Sequence, residues 1–161
     1  MYNIELICLG KINAAFYKQA AAEYEKRLNG FCKIKVTELA EEKIDEKSYS
    51  NILIERALDK EGSAILNNIK KGSKIIILCI EGKQMSSVEL ADYIKEAAIQ
   101  GSGDFTFVIG SSHGISDKVK NMADIKLSMS KMTFPHELAR VMLLEQIYRA
   151  FSIIAGSKYH K

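Results

Sequence analysis

Two hydrophobic periods alternate along this chain, one short and continuous, the other spaced by three or four residues. Met1 to Leu9 (MYNIELICL) is an Ile-rich apolar run closed by Gly10, the pattern of a buried strand. From Ile12 to Leu28 apolar positions recur at Phe16 or Tyr17, Ala20 or Ala21, Tyr24 and Leu28. That is helical spacing, with Glu23 four residues before Arg27 on the outer face. Phe31 to Leu39 alternates and predicts a second strand, whereas Ala40 to Ser50 is charged and aperiodic, as expected of a mobile loop. A helix is expected from about Ser50 to Lys70, with Gly62 as a candidate break. Lys74 to Ile80 (KIIILCI) is continuously apolar, the mark of a central strand covered on both faces. Ser86 with Glu89 three residues on has capping-box spacing and opens the next helix. Phe105 to Ile109 predicts a fourth strand, Asp117 to Met122 a short helix, and Ile125 to Leu127 a fifth strand. Strands alternating with helices predict an α/β fold with a mainly parallel sheet. No repeat or proline-rich linker interrupts the pattern, so one domain over residues 1–161 is expected.

The stretch from Leu127 to Phe151 stands apart. A glycine-free loop, Ser128 to Phe134, leads to Pro135, the single proline, which suits the first position of a helix. The helix that follows carries Val141, Met142, Leu143 and Leu144 in succession. A helix apolar on more than one side must be covered on each, and a second subunit is the expected second cover.

Composition adds exclusions. The 161 residues are 47% hydrophobic and 27% charged, which rules out disordered and fibrous classes. A net charge of +3 neither requires nor opposes a nucleic-acid partner. No apolar run nears the ~20 residues of a membrane span, and charges come too early for a signal peptide, so a cytoplasmic protein is expected. Cys8, Cys32 and Cys79 lie in apolar runs with no CxxC, as expected of buried, reduced thiols. His113, His136 and His160 are too scattered for a metal site, and none is expected.

Candidate chemistry gathers at three strand ends, because ligands of open parallel sheets bind beyond the carboxyl ends of the strands. The third strand ends in Ile80-Glu81-Gly82-Lys83, the fourth in Gly110-Ser111-Ser112-His113-Gly114, and the fifth in the Ser128 to Phe134 loop. If adjacent, they enclose a crevice that hydrogen-bonds through main-chain groups, with Leu78, Met129 and Met132 as apolar contacts. The glycines alone read more readily as ordinary turn chemistry than as a ligand site, and they match neither GxGxxG nor GxxxxGK[ST]. Glu145 and Arg149, four apart, suit an intrahelical ion pair. The tail Gly156-Ser157-Lys158-Tyr159-His160-Lys161 is either a solvated end or an aromatic and basic surface for an unpaired base.

FVIG-x-S-x-G at Phe107 to Gly114, LSxSKMTFPHxLxRxxLxEQIYRAF at Leu127 to Phe151, and the terminal YHK together resemble the RlmH family of SPOUT methyltransferases. Gly10-Lys11, AEYEKRL at Ala22 to Leu28 and EGK at Glu81 to Lys83 extend the resemblance over essentially the whole chain. The resemblance implies a SPOUT fold with a C-terminal trefoil knot, and a homodimer that uses S-adenosyl-L-methionine. It implies methylation of N3 of pseudouridine-1915 in 23S ribosomal RNA, on the assembled 70S ribosome. Carried over by position, the cofactor contacts fall on Leu78, Gly110, Met129, Ser130, Lys131, Met132, Thr133 and Phe134. The substrate-side residues fall on Arg149, Tyr159 and His160, with His160 or Arg149 handling the N3 proton and Tyr159 stacking on or orienting the base. Two positions depart from the family pattern: Ser111 where a second glycine is usual, and Met129 where Phe is more usual. A ribosome-associated binding protein without catalysis, and a SPOUT enzyme acting on tRNA, are the alternatives.

Overall fold

The computed structural model describes residues 1–160, with the His160 side chain outside the description. The elements run β1 (Tyr2–Leu9), α1 (Ala15–Leu28), β2 (Cys32–Leu39), α2 (Asn51–Asn68), β3 (Lys74–Gln84) and α3 (Ser87–Ile99). They continue with β4 (Asp104–Ile109), α4 (Asp117–Lys120), β5 (Ile125–Ser128) and α5 (His136–Ile154). The strands form one sheet in the order β2-β1-β4-β3-β5, and every pairing is parallel.

Each apolar run becomes a strand whose alternate residues feed two cores. One side of β1 and β4 (Ile4, Leu6, Phe105, Phe107) joins residues of α1, α3 and α5, among them Leu28, Ile94, Leu143 and Ile147. The other side (Ile7, Leu9, Val108, with Ile75 and Ile77 of β3) meets Ile65 of α2 and Val119 of α4. Helices on both faces explain the continuous apolar character of β3 and β4, since neither strand has a wet side. None of the described helices is long and apolar enough to cross a membrane.

Helix ends follow local chemistry where it exists. Ser86 Oγ accepts Glu89 N–H at 3.1 Å and Glu89 Oε2 accepts Ser86 N–H at 2.6 Å, the expected capping box. Ser50 caps α2 by accepting Leu53 N–H at 3.3 Å. The start of α1 has no cap of its own. Instead Glu137, in the first turn of α5, accepts the N–H groups of Asn13 (2.9 Å) and Ala14 (3.2 Å). Those backbone bonds hold the Glu137 carboxyl below the usual carboxylate range.

Four expectations change. Gly62 does not break α2, which is continuous; it is buried, and a Cβ there would lie 2.3 Å from Ser116 Oγ, so it is a close-packing glycine. Pro135 is the cap before α5 rather than its first helical residue, with ψ 142. The over-apolar character of α5 needs no second subunit, because α5 packs against both α1 and α3 as well as the sheet. Leu143 and Leu144 are fully buried within the one chain. β3 runs on past Ile80, but its pairing with β5 slips: both Leu78 and Lys83 pair with Leu127. The extra residues bulge from the ladder, as strands do beside sites. Gly82 permits this, since a Cβ there would lie 2.5 Å from Lys126 O.

Candidate active site

The carboxyl ends of β3, β4 and β5 open into one cleft of about 250 Å³. Three segments wall it: the β3 bulge from Leu78 to Glu81, the loop after β4 from Gly110 to Ile115, and the loop after β5 from Met129 to Phe134. Its base is apolar, with Leu78, Ile109, Ile115 and Leu127. Of the eight expected cofactor positions, Leu78, Gly110, Met129, Ser130, Met132, Thr133 and Phe134 line it; Lys131 does not, and its side chain is exposed.

Local bonds explain how loops with little glycine keep their shape. Ser128 Oγ donates to Ser130 O at 2.9 Å, and Ser130 Oγ accepts Met132 N–H at 3.0 Å. Short side chains that bond nearby backbone replace the positive-φ residues that a tight turn would otherwise use. Met132 is left 73% exposed at the rim. In the loop after β4, Gly114 takes φ 95 and its N–H donates to Ser111 O at 3.0 Å, closing the turn. Gly110 is required by space: a Cβ there would lie 2.4 Å from Ile115 Cγ1 and 2.5 Å from Gly114 O. Ser111 is not in a positive-φ conformation, so serine fits where a glycine is more usual.

Three charged or titratable groups that sequence reasoning passed over reach this cleft. Lys120 Nζ donates to Glu81 Oε1 at 2.5 Å on its edge. That bond lowers the Glu81 carboxyl and raises the Lys120 ammonium. His136, set aside as one of three scattered histidines, lines the cleft from the first residue of α5, with Nε2 3.5 Å from where a Gly10 Cβ would stand. The signal for it was position rather than histidine spacing, since it stands two residues beyond Phe134, the end of the expected cofactor loop. Cys79 was expected in the core but is half-buried in the cleft wall; burial raises its thiol.

The expected substrate-side residues lie elsewhere. Arg149 is ten positions beyond Ala139, the last α5 residue of the cleft, or about 15 Å along the helix. Its Nε (2.9 Å) and Nη2 (2.5 Å) donate to Glu145 Oε1, the expected intrahelical pair, which raises its already high value. Tyr159 Oη donates to the same oxygen at 3.3 Å, its ring lying 4.8 Å from the Arg149 guanidinium and edge-on to Tyr148 at 4.8 Å. Burial, with Tyr24 and Glu145 beside it, pushes the Tyr159 hydroxyl up to about 12. It therefore stays protonated near neutral pH and serves as a donor. The expectation for the His160 side chain lies outside the described residues.

The cleft joins an apolar base to polar Ser111, Ser112, Ser130 and Thr133 on the loops after β4 and β5, a lining suited to a ligand with apolar and polar parts. Comparison with known proteins points the same way. The family described as "Predicted SPOUT methyltransferase" matches residues 2–160. The chain is 47% identical over 162 residues to "Ribosomal RNA large subunit methyltransferase H" of Clostridium botulinum (strain Kyoto / Type A2), covering 99% of each chain. It is 48% identical over 160 residues to the protein of that name from Clostridium novyi (strain NT), and 45% identical over 159 to that from Lactobacillus acidophilus, again with 99% of each covered. In fold it is similar to a probable methylase family protein from Haemophilus influenzae Rd KW20 (TM-score 0.55, 15% identity, 99% of this chain and 71% of that one). With full-length similarity to those relatives and a cleft built from the very segments that carry the motifs, the chain belongs to the SPOUT methyltransferase family, in the branch of the ribosomal RNA large subunit methyltransferase H proteins.

Proposed function

We propose that the protein transfers a methyl group from S-adenosyl-L-methionine to N3 of a pseudouridine in large-subunit ribosomal RNA, acting as a homodimer on the assembled ribosome. The observation that carries this reading is the split of one helix. Its first turns line the cleft, while Arg149 sits about 15 Å further along the helix with the Tyr159 ring against its guanidinium, and neither residue lines that cleft. A second copy, related by a two-fold axis, supplies the missing half. The outward face of α5 supports the seat for it, since Leu138, Met142, Glu145 and Arg149 follow one another at helical spacing and are only partly buried. The same reading includes a trefoil threading of the C-terminal segment, supported by the way the loops after β4 and β5 share one cleft.

When bound, the cofactor supplies an electrophilic methyl group on a sulfonium. The chain's own residues do the rest. Leu78, Ile109 and Leu127 exclude water from one side of the bound group, and the loops after β4 and β5 meet it with backbone groups. Holding donor and acceptor in line can supply ~7–11 kcal/mol of a barrier. The pseudouridine N3–H must give up its proton, and a fixed cation beside it favours the anion. Arg149 provides that cation, oriented by Glu145, and Tyr159 donates a hydrogen bond or stacks on the base. His160 is assigned the role of proton acceptor.

Deleting Tyr159 to Lys161 is expected to abolish methylation of ribosomal RNA, read by mass spectrometry, while cofactor affinity stays at the wild-type value. Mixing that variant with one whose cleft is blocked should restore about a quarter of wild-type turnover, because half the dimers then hold one complete site of two. No recovery on mixing would refute the shared site. Absence of S-adenosyl-L-methionine binding by the wild-type protein would refute the enzyme reading altogether.

A further inference from the structure

Glu61 sits in the middle of α2 and is 3% exposed, at a position that the stripe Ala57, Glu61, Ile65 assigns to the core. Among the described residues no lysine or arginine forms an ion pair with it. Burying a carboxylate without a cation is unfavourable unless its oxygens are well bonded. Both are. Oε1 accepts the Glu42 N–H at 2.8 Å and Oε2 accepts the Ser111 hydroxyl at 2.8 Å. One carboxylate thus ties α2 to the exit of β2 and to the loop after β4. Ser111 is itself buried and lines the cleft; its Oγ also accepts the His113 N–H at 3.4 Å, and its carbonyl accepts Gly114 N–H. The neighbouring Gly62 lets α2 pack closely on Ser116, just beyond the same loop.

We propose that Ser111 and Glu61 form a buried positioning pair that sets the shape of the cofactor cleft, so that methyl-donor affinity depends on a hydrogen bond made behind the wall that meets the ligand. The inference rests on the cleft being the S-adenosyl-L-methionine site. Neither residue touches the reacting atoms. Ser111 holds the loop from Gly110 to Gly114 in the bound-like shape before the ligand arrives, and a preorganised loop spares binding the cost of ordering it. Without the hydroxyl, Glu61 Oε2 loses its donor and the loop its fixed point on α2.

The test is calorimetric titration of S-adenosyl-L-methionine with methylation kinetics for wild type, Ser111→Ala, Glu61→Gln and the double variant. Ser111→Ala should weaken the cofactor Kd and raise the cofactor KM about 10-fold, which is about 1.4 kcal/mol. Turnover at saturating cofactor and the KM for RNA should stay within about twofold of wild type, a split that general loss of structure does not produce. The double variant should bind no worse than the weaker single variant, since both remove one interaction. Wild-type binding by Ser111→Ala, or losses that add in the double variant, would overturn the pair while leaving the assignment of the cleft intact. If wild type itself fails to bind, the cleft assignment falls and this inference with it. Ser111→Ala alone decides the matter if Glu61→Gln does not fold.

Discussion

Replacing Gly110 by alanine adds one methyl group where the loop after β4 packs on its own turn in the wall of the cleft. An ideal Cβ would lie 2.4 Å from Ile115 Cγ1, 2.5 Å from Gly114 O and 2.9 Å from Gly114 C. Favourable carbon contacts begin near ~3.5 Å, so the two sides must part by about 1 Å. The Ile115 side chain can turn aside, but the Gly114 carbonyl belongs to a backbone turn closed by its own N–H on Ser111 O. Gly110 is not among the positive-φ glycines, so the whole effect is steric. Overpacking of this kind costs about 1–3 kcal/mol. At about 2–4 °C per kcal/mol for a chain of this size, Tm should fall by roughly 2–12 °C. If the loop relieves the strain by moving, it carries Ser111 and Ser112 with it, and cofactor affinity should drop at least ~10-fold. Scanning calorimetry of the free protein and titration with S-adenosyl-L-methionine read the two effects. A variant with wild-type Tm and wild-type affinity would show that this contact does not shape the cleft.

Gly62→Ala reverses the usual helix rule. Alanine stabilises an exposed helix by about 1 kcal/mol over glycine, yet here its Cβ would lie 2.3 Å from Ser116 Oγ, so a lower Tm is expected, and a higher one would refute the packing role. Leu144→Ala should cost about 2–5 kcal/mol in denaturant unfolding, because the side chain is fully buried within the single chain; a loss confined to the dimer equilibrium would contradict that. The buried thiols of Cys8 and Cys32 are raised from 9.0 to about 12, so the unfolded chain binds fewer protons in that window and stability should fall as pH rises from about 9 to 12. In the native protein at pH 8 neither should react with a thiol reagent, whereas half-buried Cys79 should react slowly, faster as pH rises, and be shielded by bound cofactor. Mass mapping of the modified cysteines checks all three.

Much of this protein is legible in its sequence because short-range physics decides it. The Ile-rich apolar run of β3, bounded by turn residues, reads as a strand covered on both sides, and Ser86 with Glu89 fixes the start of α3 through bonds between near neighbours. The strand ends around the cleft follow from the general rule for open parallel sheets, and seven of the eight positions that the resemblance assigned to the cofactor line that cleft. What sequence could not convey is which residues become neighbours across the fold. The apolar surplus of α5 reads as calling for a second subunit until the structure sets that helix between α1 and α3, which cover Leu143 and Leu144 within one chain. Gly62 reads as a helix break until α4 is seen lying against it. Glu61 is only an acid in an apolar stripe until Ser111 and Glu42 bring it two donors. Spacing gives the pair of Arg149 with Glu145, but not that the pair lies about 15 Å along α5 from the turn where His136 reaches the cleft. Local propensity and hydrophobic period act over a few residues; a site depends on contacts between segments up to 124 residues apart, as between Asn13 and Glu137, and those exist only once the sheet order is set.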